Sequence, residues 1–377
     1  MGNQLSSKER ILRAMRKQET DYIPVSPRMW KFNTMHYGDD SLASNLKAKR
    51  EFDFDPICYV YGSVPNLYNA IIPERDILPK EVRFSCRQRE EGDFNILERR
   101  FDTPAGELTD CYKIPLRGTY DITHKEYLVK CYADLEKLKY LTVFPEEREL
   151  KFYETMRNEA GGEVLVTPYV RSPFNDMAAV QSPVDSMMLT VEDKVFLKEM
   201  LDILYRPCIM DIEAYLKRGA EIIFISGFHI SLSVGWSPAN YKEFFLPYIK
   251  EIVNMVHNAG AVVHFYDDGK LMDILPMILE SGIDTLSTCT PPPAGDFNFE
   301  KAKATVGNKL TLMGYVDIER VLHRGKPELV EETVKEAIEK GAYDNAFILS
   351  SSDGILRQTP LENMKAYFNA GRKYGKR

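Results

Sequence analysis

From residue 22 to residue 350 the chain alternates short apolar runs with longer amphipathic ones, a pattern that few folds satisfy. Eight of the short runs read as strands: 22–26, 57–61, 163–168, 221–226, 261–266, 284–288, 309–313 and 346–350. Helical signals separate most of them. Ser237-Pro238 reads as an N-cap with proline at the first helical position, and Gly260 can end that helix. Pro247 lies inside it and predicts a kink or a two-piece helix. Residues 328–340 place Leu329, Val330, Val334 and Ile338 on one face and stop at Gly341. Ser6-Ser7-Lys8-Glu9 and Thr359-Pro360-Leu361-Glu362 have the spacing of capping boxes, opening a first helix within 1–20 and a last one. Together these signals predict an α/β fold, a (β/α)8 TIM-type barrel.

One stretch departs from the alternation. Residues 81–114 hold extended runs at 82–87, 94–101 and 107–113, with Pro104-Ala105-Gly106 as a turn, and predict an antiparallel β insertion between strands 2 and 3. No repeat, linker or low-complexity tract appears, so 1–377 reads as a single barrel domain with that insertion. Composition narrows the function. Hydrophobic residues are 44% and charged residues 28%, the balance of a soluble globular protein. The 49 basic and 56 acidic residues leave a net charge of −7, which disfavours nucleic acid as a partner. No apolar run reaches the roughly 18–20 residues that span a bilayer, and the polar N-terminus is no secretory signal. Six scattered cysteines (Cys58, Cys86, Cys111, Cys131, Cys208, Cys289) suit reduced thiols. The expectation is a cytoplasmic enzyme.

In a barrel of this type, chemistry sits at the C-terminal strand ends. Those ends supply Arg28, Tyr59, Tyr61, Arg171, His229, His264, Tyr266 and Asp267, and the later strands add Cys289, Tyr315, Asp317 and Asp353. His264 closes an apolar run and reads either as a metal ligand or proton carrier, or as a packing histidine. Glu243 lies on the helix that follows the strand 221–226, with twenty residues between it and His264, where an imidazole and a carboxylate can share a metal or the glutamate can simply be solvated. Asp353 reads as a ligand, an acid–base group or a turn residue before Gly354. Arg28 and Arg171 can each grip a substrate carboxylate. Trp30, Phe32, Tyr59, Tyr61, Phe174 and Trp236 can wall an apolar pocket or pack in the core, and Cys289 can be a thiolate or a small buried hydrophobe.

Several motifs occur in a familiar order. Lys8-Glu9-Arg10-Ile11-Leu12-Arg13-Ala14-Met15 with Asp21-Tyr22-Ile23-Pro24-Val25, Ser237-Pro238 through Phe245-Leu246-Pro247-Tyr248, His264, Gly314-Tyr315-Val316-Asp317, and Gly354-Ile355 with Thr359-Pro360 and Glu362-Asn363 span almost the whole chain. They resemble the uroporphyrinogen decarboxylase superfamily, including its corrinoid-linked methyltransferase branch. Decarboxylases of that family carry Arg-Gln-Ala-Gly-Arg after the first strand and Gly-His-Gly near the end. Here Arg28-Met29-Trp30-Lys31-Phe32 and Ser352-Asp353-Gly354 stand in their places. Thr103-Pro104-Ala105-Gly106, Glu126-Tyr127 and Asp134-Leu135-Glu136 are similar to the methyltransferase branch.

The resemblance implies zinc and a corrinoid carried by a partner protein. Zinc-binding members use His-x-Cys and a late Cys, where this chain has His264, Tyr266 and Asp353. Ether demethylases use two glutamates and a histidine, where it has Phe228, Glu243 and His264. His229, Asp267 or Asp353 would have to complete such a set. The expectation is a methyltransferase moving a methyl group between a small methylated O-, N- or S-methyl compound and a corrinoid protein. Zinc would sit on His264, Glu243 and Asp353. Asp353, His264 and Tyr266 would do the chemistry, and Arg28, Trp30, Tyr59, Tyr61, Arg171, His229 and Tyr315 would bind substrate. The alternatives are a metal-free decarboxylase-like carboxy-lyase and a non-catalytic ligand-binding barrel. A homo-oligomer is compatible with each.

Overall fold

Seven of the eight apolar runs become paired strands, and the eighth fails for a reason written in its own residues. The computed structural model describes residues 4–64, 67–68, 72–73, 77–117, 122–227 and 229–377. Contacts divide the chain into two compact units. The first comprises Met1–Tyr61, Leu150–Val170 and Tyr215–Arg377, and the second Gly62–Glu149 and Arg171–Ala214.

In the first unit, β1 (Ile57–Tyr61) opens a parallel sheet. In the second, β2 (Arg83–Glu91), β3 (Phe94–Thr103), β4 (Gly106–Pro115) and β5 (Thr123–Glu126) form an antiparallel one. β6 (Leu165–Val170), β7 (Ile222–Ser226), β8 (Val262–Asp267), β9 (Thr285–Thr288), β10 (Thr311–Val316) and β11 (Phe347–Ser351) then follow β1 side by side, all parallel. The expected first strand, 22–26, joins the parallel sheet only through the bridge Val25 to Leu349, its other bridge, Tyr22 to Lys376, being antiparallel and made to the C-terminal segment. Ser26 N donates to Leu349 O, Leu349 N to Pro24 O, and Asp55 N to Val25 O, so the segment lies between β11 and the approach to β1. Pro24 has no N–H to give a ladder, and Pro27 ends the segment. The fold is a TIM-type α/β barrel with one stave reduced to three backbone bonds.

The helical signals mostly hold. Ser6 and Glu9 form the expected capping box, and the helix Ser7–Met15 packs Ile11, Leu12, Ala14 and Met15 against Ile57, Leu165, Ile222, Val262, Met313 and Ile348. That cluster fills the N-terminal end of the barrel. The helix begun at Pro238 passes through a π turn, Tyr241–Phe245, directly before Leu246-Pro247. Pro247 cannot donate to the carbonyl four residues back, and the widened turn absorbs that loss. The second capping box does not form. The last helix, Leu361–Tyr374, has Pro360 at its N-cap, so Glu362 sits one residue too early to reach back, and Thr359 Oγ1 is buried without a partner. Leu329 is exposed, whereas Val330, Val334 and Ile338 of the helix Pro327–Gly341 are buried as expected.

The antiparallel sheet also follows its sequence signals. β3 and β4 meet across Pro104-Ala105, Thr103 pairing with Gly106, whose φ of +125° suits glycine. β5 extends the sheet by a strand that the sequence patterning did not mark. Among the described residues no helix is long and apolar enough to cross a membrane.

Candidate active site

Alternation along the barrel strands stacks the inward side chains in layers. Ile57, Leu165, Ile222 and Val262 belong to the apolar plug. Two residues further on, in register, come Tyr59 opposite Thr167 and Phe224 opposite His264. Two more bring Tyr61 opposite Tyr169 and Ser226 opposite Tyr266. The layers thus turn from aliphatic to aromatic and polar toward the C-terminal strand ends.

Arg28 is the centre of this mouth. Its guanidinium lies 4.4 Å from the Tyr266 ring centre, 5.7 Å from that of Tyr59 and 5.9 Å from that of Phe224. Its Nη1 is 3.4 Å from Asp353 Oδ1, while its Nε is buried without a partner. The Tyr266 hydroxyl is 3.2 Å from both Asp353 Oδ1 and Asp268 Oδ2. A phenol has one proton, so it can satisfy one of these carboxylates at a time. Burial, with Asp353 nearby, pushes the Asp268 carboxyl above its ordinary value. Trp30 stands beside Asp353, its indole so close to Gly354 that an added Cβ would come within 2.5 Å of Nε1.

His264 lies beneath, fully buried, its ring edge-on to Phe224 at 4.8 Å and 6.3 Å from Tyr59. Nε2 is hydrogen-bonded to Ser287 Oγ at 2.8 Å, and Nδ1 has no partner. Burial, helped by the Arg28 charge, lowers its pKa to about 3, so the imidazole is neutral at physiological pH. Ser26 Oγ, Tyr59 OH and Thr167 Oγ1 are likewise buried and unpaired. Buried polar atoms without partners are unusual and call for a polar guest or water. Asp267 is fully buried, with Oδ1 accepting from Asp268 N and Oδ2 unpaired, and burial drives its carboxyl well above the usual range.

The remaining expected residues fall elsewhere or at the rim. Tyr61 is largely exposed and meets Tyr169 edge-on at 5.8 Å. His229 lies in the loop after β7, its carbonyl accepting from Trp236 Nε1, and burial lowers its pKa to about 4. Tyr315 is turned onto Phe299, stacked at 4.5 Å, and feels Glu336 and Lys340 of the helix Pro327–Gly341, so it is not joined to the Arg28 group. Arg171 belongs to the second unit, 3.5 Å from Asp176 and 5.9 Å from the Tyr68 ring centre. Cys289 is buried, which pushes its thiol up and leaves it a small apolar group.

The zinc set is not assembled. Among the described residues no three His, Cys, Asp or Glu side chains gather to hold a metal ion. Glu243 is exposed on the π turn, His264 is fully buried and bonded to Ser287, and Asp353 faces Arg28 and Tyr266. Phe228, placed by the sequence where a further glutamate would be, lies outside the described residues. Residues the sequence reading did not single out, Phe224, Asp268 and Ser287, complete the site. Strand alternation would have marked Phe224 and Ser287.

A parallel barrel with its polar side chains collected at the strand ends defines the class as a TIM-type α/β barrel. The uroporphyrinogen decarboxylase (URO-D) model matches residues 123–374, and the chain belongs to that family. A methylated-thiol–coenzyme M methyltransferase of Methanosarcina mazei is 30% identical over 152 residues, which cover 40% of this chain and 38% of that relative. A uroporphyrinogen decarboxylase of Pseudoalteromonas translucida is 24% identical over 96% of both chains. A solved methyltransferase structure from Methanosarcina mazei superposes with a TM-score of 0.67 at 16% identity, covering 98% of this chain and 99% of that one, and supports the fold.

Proposed function

We propose that the protein is a methyltransferase that moves a methyl group between a small methylated compound and a corrinoid carried by a partner protein. The observation that carries this reading is the charge of the mouth: one arginine, Arg28, among aromatic rings and facing Asp353, with Asp268 one hydroxyl away. A substrate bearing many carboxylates would be repelled by these acids and would find a single arginine to hold it. A small, weakly charged donor fits better. Similarity to the methylated-thiol–coenzyme M methyltransferase supports the same reading.

In this reading the corrinoid supplies the nucleophile or acceptor for the methyl group. The chain itself binds and orients the donor. Tyr59, Phe224 and Tyr266 wall the site, Arg28 offers its unpaired Nε to a donor carboxylate, and the buried layer beneath excludes bulk water. His264 acts as a neutral hydrogen-bonding group, and no step runs through zinc. The discriminating experiment incubates the enzyme separately with uroporphyrinogen and with cob(I)alamin plus a panel of O-, N- and S-methyl compounds. Methylcobalamin formation without coproporphyrinogen is expected; decarboxylation without methyl transfer would reverse the assignment.

A further inference from the structure

The aromatic faces of the mouth already carry cations. Arg28 sits over Tyr266, and the Lys31 ammonium sits 5.0 Å from the centre of the Trp30 ring. Around them the carboxylates outnumber these bases. Asp268 and Asp353 converge on the single Tyr266 hydroxyl, and Asp40, bound to Asn33 and Asn45, is close enough to feel Arg28. Arg28 has a contact with only one of the pair, Asp353, and that at 3.4 Å. The second observation is independent of charge. Beneath this group His264, with no exposed surface, leaves Nδ1 unpaired, and Arg28 Nε and Tyr59 OH are also unpaired. The site therefore offers rings and surplus carboxylate at one end and vacant hydrogen-bond positions at the other.

We infer that the methyl donor is an N-methylated quaternary ammonium compound that also bears a carboxylate. This deepens the methyltransferase reading and rests on it. The ammonium lies at the hydroxyl end of Tyr266, beside Asp268 and Asp353 and near the Trp30 indole packed on Gly354, where rings and carboxylates both attract a cation that cannot donate hydrogen bonds. The carboxylate takes the unpaired Nε of Arg28. The transfer balances without further reagents. Cobalt(I) of the corrinoid gives its electron pair to a methyl carbon, the carbon–nitrogen bond breaks, and its pair stays on nitrogen. The products are a tertiary amine and methylcobalt(III). A leaving oxygen or sulfur departs as an anion and calls for a proton or a Lewis acid. A quaternary nitrogen departs neutral and calls for neither, which suits a mouth whose histidine is uncharged.

The test uses glycine betaine and its uncharged-carbon isostere 3,3-dimethylbutanoate, titrated calorimetrically into the whole chain. Betaine is expected to bind at least about tenfold more tightly, the size of a desolvated cation–aromatic contact. The double variant Asp268→Asn/Asp353→Asn is expected to erase that preference while still binding 3,3-dimethylbutanoate, which reports that Arg28 and the fold are intact. Should that variant fail to fold, Trp30→Leu replaces it with the same expectation. Betaine is also expected to methylate cob(I)alamin. Equal binding of the two probes, or methylation from an ether or thioether but not from betaine, overturns the inference and leaves the methyltransferase reading standing. Failure of every methyl donor to methylate cob(I)alamin overturns both.

Discussion

Replacing Tyr266 by phenylalanine removes one hydroxyl that lies 3.2 Å from each of two carboxylates, Asp268 and Asp353. A hydrogen bond to a charged group is worth about 1.5–3 kcal/mol. At 3.2 Å the contact is longer than the roughly 2.5–2.7 Å of a strong charge-assisted O–H···O bond. Asp268 also retains some solvent, which screens the interaction. The low end, about 1.5 kcal/mol, is therefore the appropriate magnitude, and it equals about one pK unit. Burial already raises Asp268, and the Tyr266 hydroxyl opposes that rise. The variant should therefore titrate Asp268 about one unit higher than wild type. The sign carries over to stability. A carboxyl whose folded-state pKa rises further loses stability as pH climbs through its titration, so the variant should match wild type in acid and fall below it near neutrality. Carbon-13 NMR of carboxyl-labelled aspartate follows this directly, with the Asp268 signal assigned by its absence from Asp268→Asn. An unchanged or lowered Asp268 titration would refute the placement of the hydroxyl between the two acids.

Other expectations follow from the buried ionic groups. Arg10, almost wholly buried, holds Asp21 through Nε at 2.6 Å and the fully buried Asp55 through Nη1 at 2.5 Å. Arg10→Met leaves the buried Asp55 with Arg372 at 3.7 Å and the Ser7 and Val25 donors, and should cost about 3 kcal/mol, the low end for a broken buried pair, in urea unfolding at pH 7; a loss below about 1 kcal/mol would contradict this. The His264 ring should show no titration in nitrogen-15 NMR between about pH 5 and 9, because burial lowers its pKa to about 3, and a ring titrating near the ordinary histidine value of about 6.5 would contradict its burial. In the second unit, burial raises Asp176 and Asp211 each to about 6. Raised carboxyls favour the folded state below the ordinary aspartate range and withdraw that contribution as pH rises through about 6. Asp176→Asn should therefore flatten the fall in denaturation midpoint between pH 5 and pH 8, and an unaltered profile would contradict the assignment.

The residues explain which parts of this molecule its sequence reveals. β7 and β8 are legible because every side chain in each is buried, giving continuous apolar runs with abrupt ends. Residues 22–26 carry the same apolar signal, but Pro24 denies them a ladder, and pairing depends on donors rather than hydropathy. The capping residues Ser6 and Thr359 have equal motifs and opposite outcomes, since one residue of shift in the helix start moves Glu362 out of reach. At the site, Arg28, Tyr59, Tyr266 and Asp353 were legible as strand-end residues, and register brings them together. Glu243 has a suggestive spacing from His264, yet spacing along a helix says nothing about which way a π turn presents it. Tyr315 sits at a strand end but packs outward on Phe299. Asp268 could be chosen only once the Tyr266 hydroxyl had a position.

Methyl transfer is the central claim, and isotope transfer tests it most directly. A carbon-13 methyl-labelled donor panel, including labelled betaine, would be mixed with cob(I)alamin and either wild-type protein or Arg28→Met, and methylcobalamin followed by carbon-13 NMR. The label should appear on cobalt with the wild-type chain and fall at least about tenfold with Arg28→Met, the loss of one charge-assisted contact of about 1.5–3 kcal/mol. Label that stays on every donor, or reaches cobalt as fast without the protein, would contradict the account.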